Sequence, residues 1–257
     1  MRACHFAICA AVVPVLLGAA AAMADCPGSE SAIATDRPSV ANSSSVVPIG
    51  SLQFENGLSA TRAQGTTTVD LPATRVRLGF GTCNELLMDL PDYTHAESGL
   101  SGFSDVGPAF KHQLQGLPEG WTLSAIAGTL LDSGNPRIAG RGPMPYLQLP
   151  WSRDLGQGWS INGMFDETLH RHDVNENRSS QASLYLDKAV GDLADVFVEY
   201  VNDLQRGANV GNRVGIGASY RATGTQQIDL KIGTGLNAAS PDWYLTAGYS
   251  FRFDRLF

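Results

Sequence analysis

Trp243-Tyr244-Leu245-Thr246-Ala247-Gly248-Tyr249-Ser250-Phe251-Arg252-Phe253 ends four residues before the last of the 257 positions. Counting from Trp243, every second residue is large or apolar: Trp243, Leu245, Ala247, Tyr249, Phe251 and Phe253. Between them stand Tyr244, Thr246, Gly248, Ser250 and Arg252. Successive side chains of a strand point to opposite faces, so this stretch predicts a strand with one oily and one wet side. A soluble sheet would hide the oily side under a second layer, and the rest of the chain decides whether this one does.

The same alternation recurs upstream. Leu52, Phe54, Leu58 and Ala60 alternate with polar or small residues, and Ile228, Leu230 and Ile232 face away from Asp229, Lys231 and Gly233. Repetition without an intervening helical window predicts an antiparallel meander. Twelve strands are expected, at about 51–62, 72–82, 84–91, 104–114, 121–131, 145–153, 158–168, 179–190, 194–202, 209–221, 226–236 and 242–253. Most have the 9–11 residues that a tilted strand needs to cross a bilayer. Connections after the even strands are short, and those after the odd strands are mostly longer and rich in Gly, Asn, Ser and Pro. An even strand number with tight turns on one rim and long loops on the other is the plan of an outer-membrane barrel, with both termini on the periplasmic rim. The fold expected for residues 51–257 is all-β, an antiparallel up-and-down transmembrane β-barrel of about 12 strands. Trp121, Trp151 and Trp159 are expected as an aromatic belt at the periplasmic rim, and Tyr93, Tyr146, Trp243 and Tyr244 at the other.

Before the barrel come two other segments. Arg2, the apolar run Phe6–Met23 and the small residues around Ala22-Met23-Ala24 read as a secretory signal over residues 1–24, with cleavage near Ala24. Residues 25–50 read as an irregular, periplasmic N-terminal segment rich in Ser, Pro and Asn. It is long enough to fold into the bore as a plug, with Asp36 and Arg37 meeting inward charges and Pro38 stiffening it; a periplasmic tether is the alternative. Without Arg2 the chain carries 17 basic and 25 acidic residues, and no basic cluster, which argues against nucleic acid. Of the four cysteines, Cys26 and Cys83 follow the signal and fall on the oxidising periplasmic side, where a disulfide between them is allowed.

Inward parity collects Glu55, Arg75, Arg77, Asp89, Asp105, Lys111, Asp187, Asp195, Glu199, Arg213, Arg221, Asp229, Lys231 and Arg252. Seven are acidic and seven basic, so the bore is expected to be mixed in sign, with charges pairing across it. A single-signed ring would have argued for ion selectivity. Parity also predicts that Lys231→Leu leaves assembly largely intact. No GxSxG, HExxH or phosphate-binding glycine loop is present, and neither a metal nor a cofactor is implied. His170, His172, Asp173, Glu176, Ser179 and Ser180 read as a solvated polar loop rather than a hydrolytic centre.

Several stretches together resemble one family. Asp36-Arg37-Pro38, Pro48-Ile49-Gly50 and Leu52-Gln53-Phe54-Glu55 resemble the opening of the outer-membrane transporters linked to the meta-cleavage pathway of phenol degradation. Asp154-Leu155-Gly156, Gly158-Trp159-Ser160 and Phe197-Val198-Glu199-Tyr200 resemble its middle. The most specific match is Gly235-Leu236-Asn237-Ala238-Ala239-Ser240-Pro241-Asp242-Trp243-Tyr244. The resemblance spans roughly residues 35–253, and the tail Asp254–Phe257 runs past the family's usual end. It implies an outer-membrane barrel with a transport role, without fixing a substrate. The function expected is passive passage of small solutes, hydrophobic or aromatic ones among them. A non-transporting structural or surface-recognition barrel is the alternative, and a barrel-based lipid hydrolase a more distant one. The expected partners are membrane lipid and lipopolysaccharide, the barrel assembly machinery through the C-terminal strand, and a small-molecule solute.

Overall fold

The structure, a computed structural model, describes Cys26, Ser29 and residues 32–139, 142–170, 177–205 and 209–257. The expected signal segment lies outside the described residues, as do His172, Asp173, Glu176 and the His170 side chain.

Among the described residues, the strands all join one antiparallel sheet. The first half contains β1 (Leu52–Ala63), β2 (Thr66–Leu71), β3 (Arg75–Phe80), β4 (Asn84–Asp89), β5 (Tyr93–Ala96), β6 (Ser101–Phe103), β7 (Gly107–Gln113) and β8 (Trp121–Leu130). The second half contains β9 (Met144–Gly156), β10 (Trp159–His170), β11 (Asn177–Val190), β12 (Ala194–Gln205), β13 (Gly211–Thr223), β14 (Gln226–Gly235) and β15 (Trp243–Phe253). β15 pairs back onto β1, from Leu52 against Phe253 to Arg62 against Trp243, so the sheet closes. The closed wall is a ring of twelve, β1-β3-β4-β7-β8-β9-β10-β11-β12-β13-β14-β15, and β2, β5 and β6 extend it on the outer side.

That extension corrects two expected connections. Residues 63–71 are not a loop: β1 turns through Gln64-Gly65 into β2, with φ of 49° and 80°. Two successive positive φ values make the tight turn that suits a twisted hairpin, and Thr66-Thr67-Thr68-Val69 supplies β-branched residues suited to a strand. Residues 92–103, also expected as a loop, carry the β5–β6 hairpin. β2–β3, β4–β5 and β6–β7 are thus three staves broken at one level, at residues 72–74, 90–92 and 104–106. Pro72, with no N–H to give to a ladder, stands at the first break. The break changes parity. Arg75 pairs with Asp89 and faces the bore, whereas Leu71, four residues away, pairs with Tyr93 and is exposed on the outside with Phe103. An unbroken strand would have turned Leu71 inward.

Burial runs opposite to that of a soluble domain. Arg77, Glu85, Lys111 and Glu199 are 0 % exposed, while Leu230 and Ile216 are 52 % and 60 % exposed on the outer wall. Charged residues are seldom fully buried unless paired, and an oily band around a whole barrel needs lipid. The membrane meets the outer face, and the core is the contents of the bore. Trp121, Trp159, Tyr93 and Trp243 sit outside, as the belts require. Tyr146 and Tyr244 do not. Tyr146 packs on the inward cluster Leu87, Ala109 and Ile126. Tyr244 is buried inside, between the Arg213 and Lys231 cations, because it shares the parity of Thr246 and Arg252.

Candidate functional site

The described part of the N-terminal segment, residues 32–50, has no strand of its own, so its backbone groups must find partners elsewhere. They find them on the inward side chains of the wall. Asp36 N donates to Glu55 of β1 (2.9 Å), Val47 N to Glu85 of β4 (2.9 Å), Val46 N to Gln113 of β7 (3.1 Å) and Val40 N to Glu199 of β12 (2.6 Å). In the other direction, Lys111 and Arg77 donate to Ser45 O and Ser124 to Ser44 O. Asn42 donates to Gln148 of β9, and Gln227 of β14 to Thr35. The segment therefore crosses the bore and is bonded to walls on opposite sides.

At its centre stands Asp36. Arg75 approaches its carboxylate at 2.9 Å, Arg77 at 3.3 Å and Lys111 at 3.8 Å. Arg77 is shared with Glu85 (2.6 Å) and Glu55 (2.9 Å), and Arg75 with Asp89 (2.6 Å). Burial opposes ionisation of Asp36, but Arg77, Lys111 and Arg75 outweigh it and hold its carboxyl well below the usual carboxylate range. Arg37 turns the opposite way, donating to Ala247 O of β15 (2.9 Å) and lying 3.5 Å from Asp229 of β14.

The remaining inward charges pair locally: Glu199 with Lys231 (2.9 Å), Asp203 with Arg213 (3.4 Å), Asp195 with Arg221, and Arg252 with Asp254 of the tail (2.7 Å). Asp187 lines the inner of the two cavities described below. Asp105 lies in the break before β7 and accepts from Ser133 N and Gly134 N, fastening the outer loop over the bore. The charges expected to pair across the bore thus pair with staves one or two places away, within the chain's own tail, and with the N-terminal segment that crosses the space between. Lys231→Leu is no longer expected to be harmless, since it would strand a fully buried Glu199. Sequence reasoning missed Glu85, although it shares the parity of Asp89. It also missed Asp203, which lies just past the expected end of its strand.

Cys26 and Cys83 are joined, Cα to Cα 4.7 Å, which pins the start of the segment to the β3–β4 turn. On non-reducing gels the chain should migrate differently from its reduced form, and Cys83→Ser should abolish the difference; an unaltered shift in that variant would refute the bridge.

Two cavities flank the segment. The outer one, about 530 Å³, is bordered by Asp36, Arg75, Asp89, Asp92 and Asp105 together with apolar Leu130 and Met144. The inner one, about 470 Å³, is bordered by Pro38, Tyr185, Asp187, Asp195 and Arg221. Arg37 and Ser39 border both. Among the described residues no cluster of three or more His, Cys, Asp or Glu side chains could hold a metal ion.

No curated protein matches the chain. Among solved structures it is similar to the COG4313 outer membrane channel from Pseudomonas putida F1, at 14 % identity and TM-score 0.63, covering 81 % of this chain and 97 % of that one. It is also similar to the NanC porin (10 %, TM-score 0.56, 78 % and 98 % covered) and to the KdgM porin in complex with disordered oligogalacturonate (9 %, TM-score 0.56, 79 % and 99 % covered). At such identities these likenesses speak for the fold, a closed outer-membrane barrel. Residues 35–253 match the family model described as "Putative MetA-pathway of phenol degradation", and the chain is a member of that family of outer-membrane barrels.

Proposed function

We propose that this barrel is a passive outer-membrane channel for small solutes, hydrophobic or aromatic ones among them, whose N-terminal segment is a plug that sets how much passes. The observation that carries this reading is the pair of cavities on either side of residues 32–50, with Arg37 and Ser39 bordering both. Twelve strands lie between the eight whose side chains fill a barrel and the sixteen to eighteen that leave open water, so the bore can hold both a plug and a passage. No nucleotide or ion-coupling motif is evident in the sequence, so movement is downhill. The chain shares its fold with a channel and with porins, which supports the class and not a substrate. On this reading the outer wall meets lipid and lipopolysaccharide, and the assembly machinery engages β15.

Deleting residues 27–48 and recording currents in planar bilayers tests the proposal. Unitary conductance should rise severalfold as the bore is freed. An unchanged conductance would remove the plug, and persistent silence of both forms would favour a structural barrel.

A further inference from the structure

The ion pairs of the bore do not use its two signs equally. Every inward cation named above has a carboxylate at 3.8 Å or closer. The converse fails. Among the described residues, Asp92, Asp105 and Asp187 form no ion pair, and each borders one of the two cavities. Asp92 and Asp105 stand together on the outer one. Asp92 N donates to Ser104 Oγ and Ser104 N to Asp92 O, both at 2.8 Å, and Asp105 is the next residue. Asp105 is only 6 % exposed. Its Oδ1 accepts from Ser133 N and Gly134 N, while Oδ2 accepts nothing among the described residues and is left to the cavity.

Five carboxylates border the outer cavity against two guanidinium groups. Asp36, Glu55 and Asp89 are bound by Arg75 and Arg77, and Arg37 is wedged over Gly57 and Gly248 with Asp229 at 3.5 Å. A negative solute finds no free cation there, and a carboxylate left unpaired away from bulk water draws a positive one. Another part of the lining is apolar: Leu90, Leu130, Ile138 and Met144. A Cβ on Gly107 would stand 2.9 Å from Leu130 Cδ2 and 3.2 Å from Asp89 Cβ, so the apolar and acidic walls meet over that glycine. The loop that brings Ile138 is the one Asp105 holds at residues 133 and 134. At about 530 Å³, with an oily wall and a few polar groups, the space has the character of a small-ligand pocket.

We propose that the outer cavity is a binding site for small organic cations, which set an ammonium group against Asp92 and Asp105 and an apolar body against Leu130, Ile138 and Met144. This rests on the channel reading and names the solute class. An ammonium group brings the N–H donors that Asp105 Oδ2 lacks and the positive charge that neither carboxylate has beside it. The inner cavity repeats the pattern, since Arg221 is taken by Asp195 and Asp187 is left without a cation.

Calorimetric titration of the purified full chain with benzylammonium chloride, benzyl alcohol and sodium benzoate tests this, because the three share a ring and differ in charge. Benzylammonium should bind about tenfold tighter than benzyl alcohol, and benzoate should not bind. Ammonium chloride, which lacks the ring, should bind more weakly than benzylammonium. The Asp92→Asn/Asp105→Asn double variant keeps an acceptor for the loop and should bring benzylammonium down to the affinity of the alcohol. Each single variant should take part of that loss, so two further chains can be read if the double variant does not fold. Glu97→Gln, at an exposed carboxylate beside Arg62, should change nothing. Equal affinity for cation and alcohol, tighter binding of benzoate, or equal binding of ammonium and benzylammonium would overturn the site. So would affinities that the Asp92 and Asp105 variants leave unchanged, or a loss of the same size in Glu97→Gln. If benzylammonium failed to bind while deletion of residues 27–48 raised conductance, the channel would stand and the site would fall. Binding by a chain that is silent in bilayers with and without the segment would keep the site and remove the passage.

Discussion

Asp36→Ala should cost about 3–5 kcal/mol of stability and raise conductance toward that of the chain lacking residues 27–48, because it breaks a buried pairing from one side only. Arg75 and Arg77 lose an ionic partner at 2.9 and 3.3 Å and Lys111 one at 3.8 Å, and around Arg77 and Lys111, both 0 % exposed, water cannot readily replace it. Asp36 Oδ1 also accepts from Ser43 N, so the turn that folds the segment on itself loses a bond. Asp36→Asn keeps an acceptor for Ser43 and loses only the charge, so it should fall between the two. Urea unfolding of the purified barrel, followed by tryptophan fluorescence, measures the cost, and bilayer recording measures the opening. A variant within about 0.5 kcal/mol of the original, the usual range for a surface substitution, would show that the cluster does not anchor the segment. Acid supplies a second check, with a fixed sign. The folded-state pKa of Asp36 lies below the ordinary value, so its contribution is complete above about pH 4 and is lost only as pH falls through the lower, folded value. Mild acid should therefore leave the Asp36 contacts in place, and an opening that titrates near pH 5–6 must come from other groups.

Parity was the legible part of this fold, and it was legible where strands are regular. Along β14 the alternation of Ile228, Leu230 and Ile232 with Asp229 and Lys231 gave both faces, and the structure keeps them. The same rule already placed Tyr244 inside and, applied to β9, would have placed Tyr146 there with Gln148, against belt arguments that looked only at distance from the rim. It would also have found Glu85. The broken staves were not legible, because the flip between Leu71 and Arg75 depends on three neighbouring strands breaking at one level, and no single strand records that. Nor did spacing show that positions 36, 55, 75, 77, 85 and 111 meet around one carboxylate. Those contacts follow from closing the sheet and threading the segment through it, after which the backbone of residues 32–50 has only inward side chains to bond with. A bore lined with balanced charges therefore had two readings, cross-bore pairs or a bonded insert, and only the path of the N-terminal segment separates them.

Leu230→Arg is expected to cost about 2–4 kcal/mol, the range for an arginine facing lipid near the bilayer midplane. Leu230 is the fifth of ten residues in β14, is 52 % exposed, and stands beside Ala218 and Ala247 on a wall that also presents Ile216 and Ile232. Among the described residues no carboxylate shares that outer face nearby: the closest acidic side chain along the strand, Asp229, has the opposite parity and lies against Arg37 inside. The guanidinium would have to snorkel past Ile228 or Ile232 to reach water, and bilayer thinning would supply the rest. Leu236→Arg is the matched control. It follows β14 at the outer rim with similar exposure, 57 %, where the cost of an arginine falls to about 0–1 kcal/mol. Unfolding equilibria in lipid vesicles give both numbers from one chain, and their difference cancels whatever arginine does to the unfolded state. Equal costs at the two positions would mean that depth in a membrane is not what the oily face responds to. A Leu230→Arg chain that became monodisperse without detergent would place that face in water, and with it would go the reason for reading the interior as a polar bore.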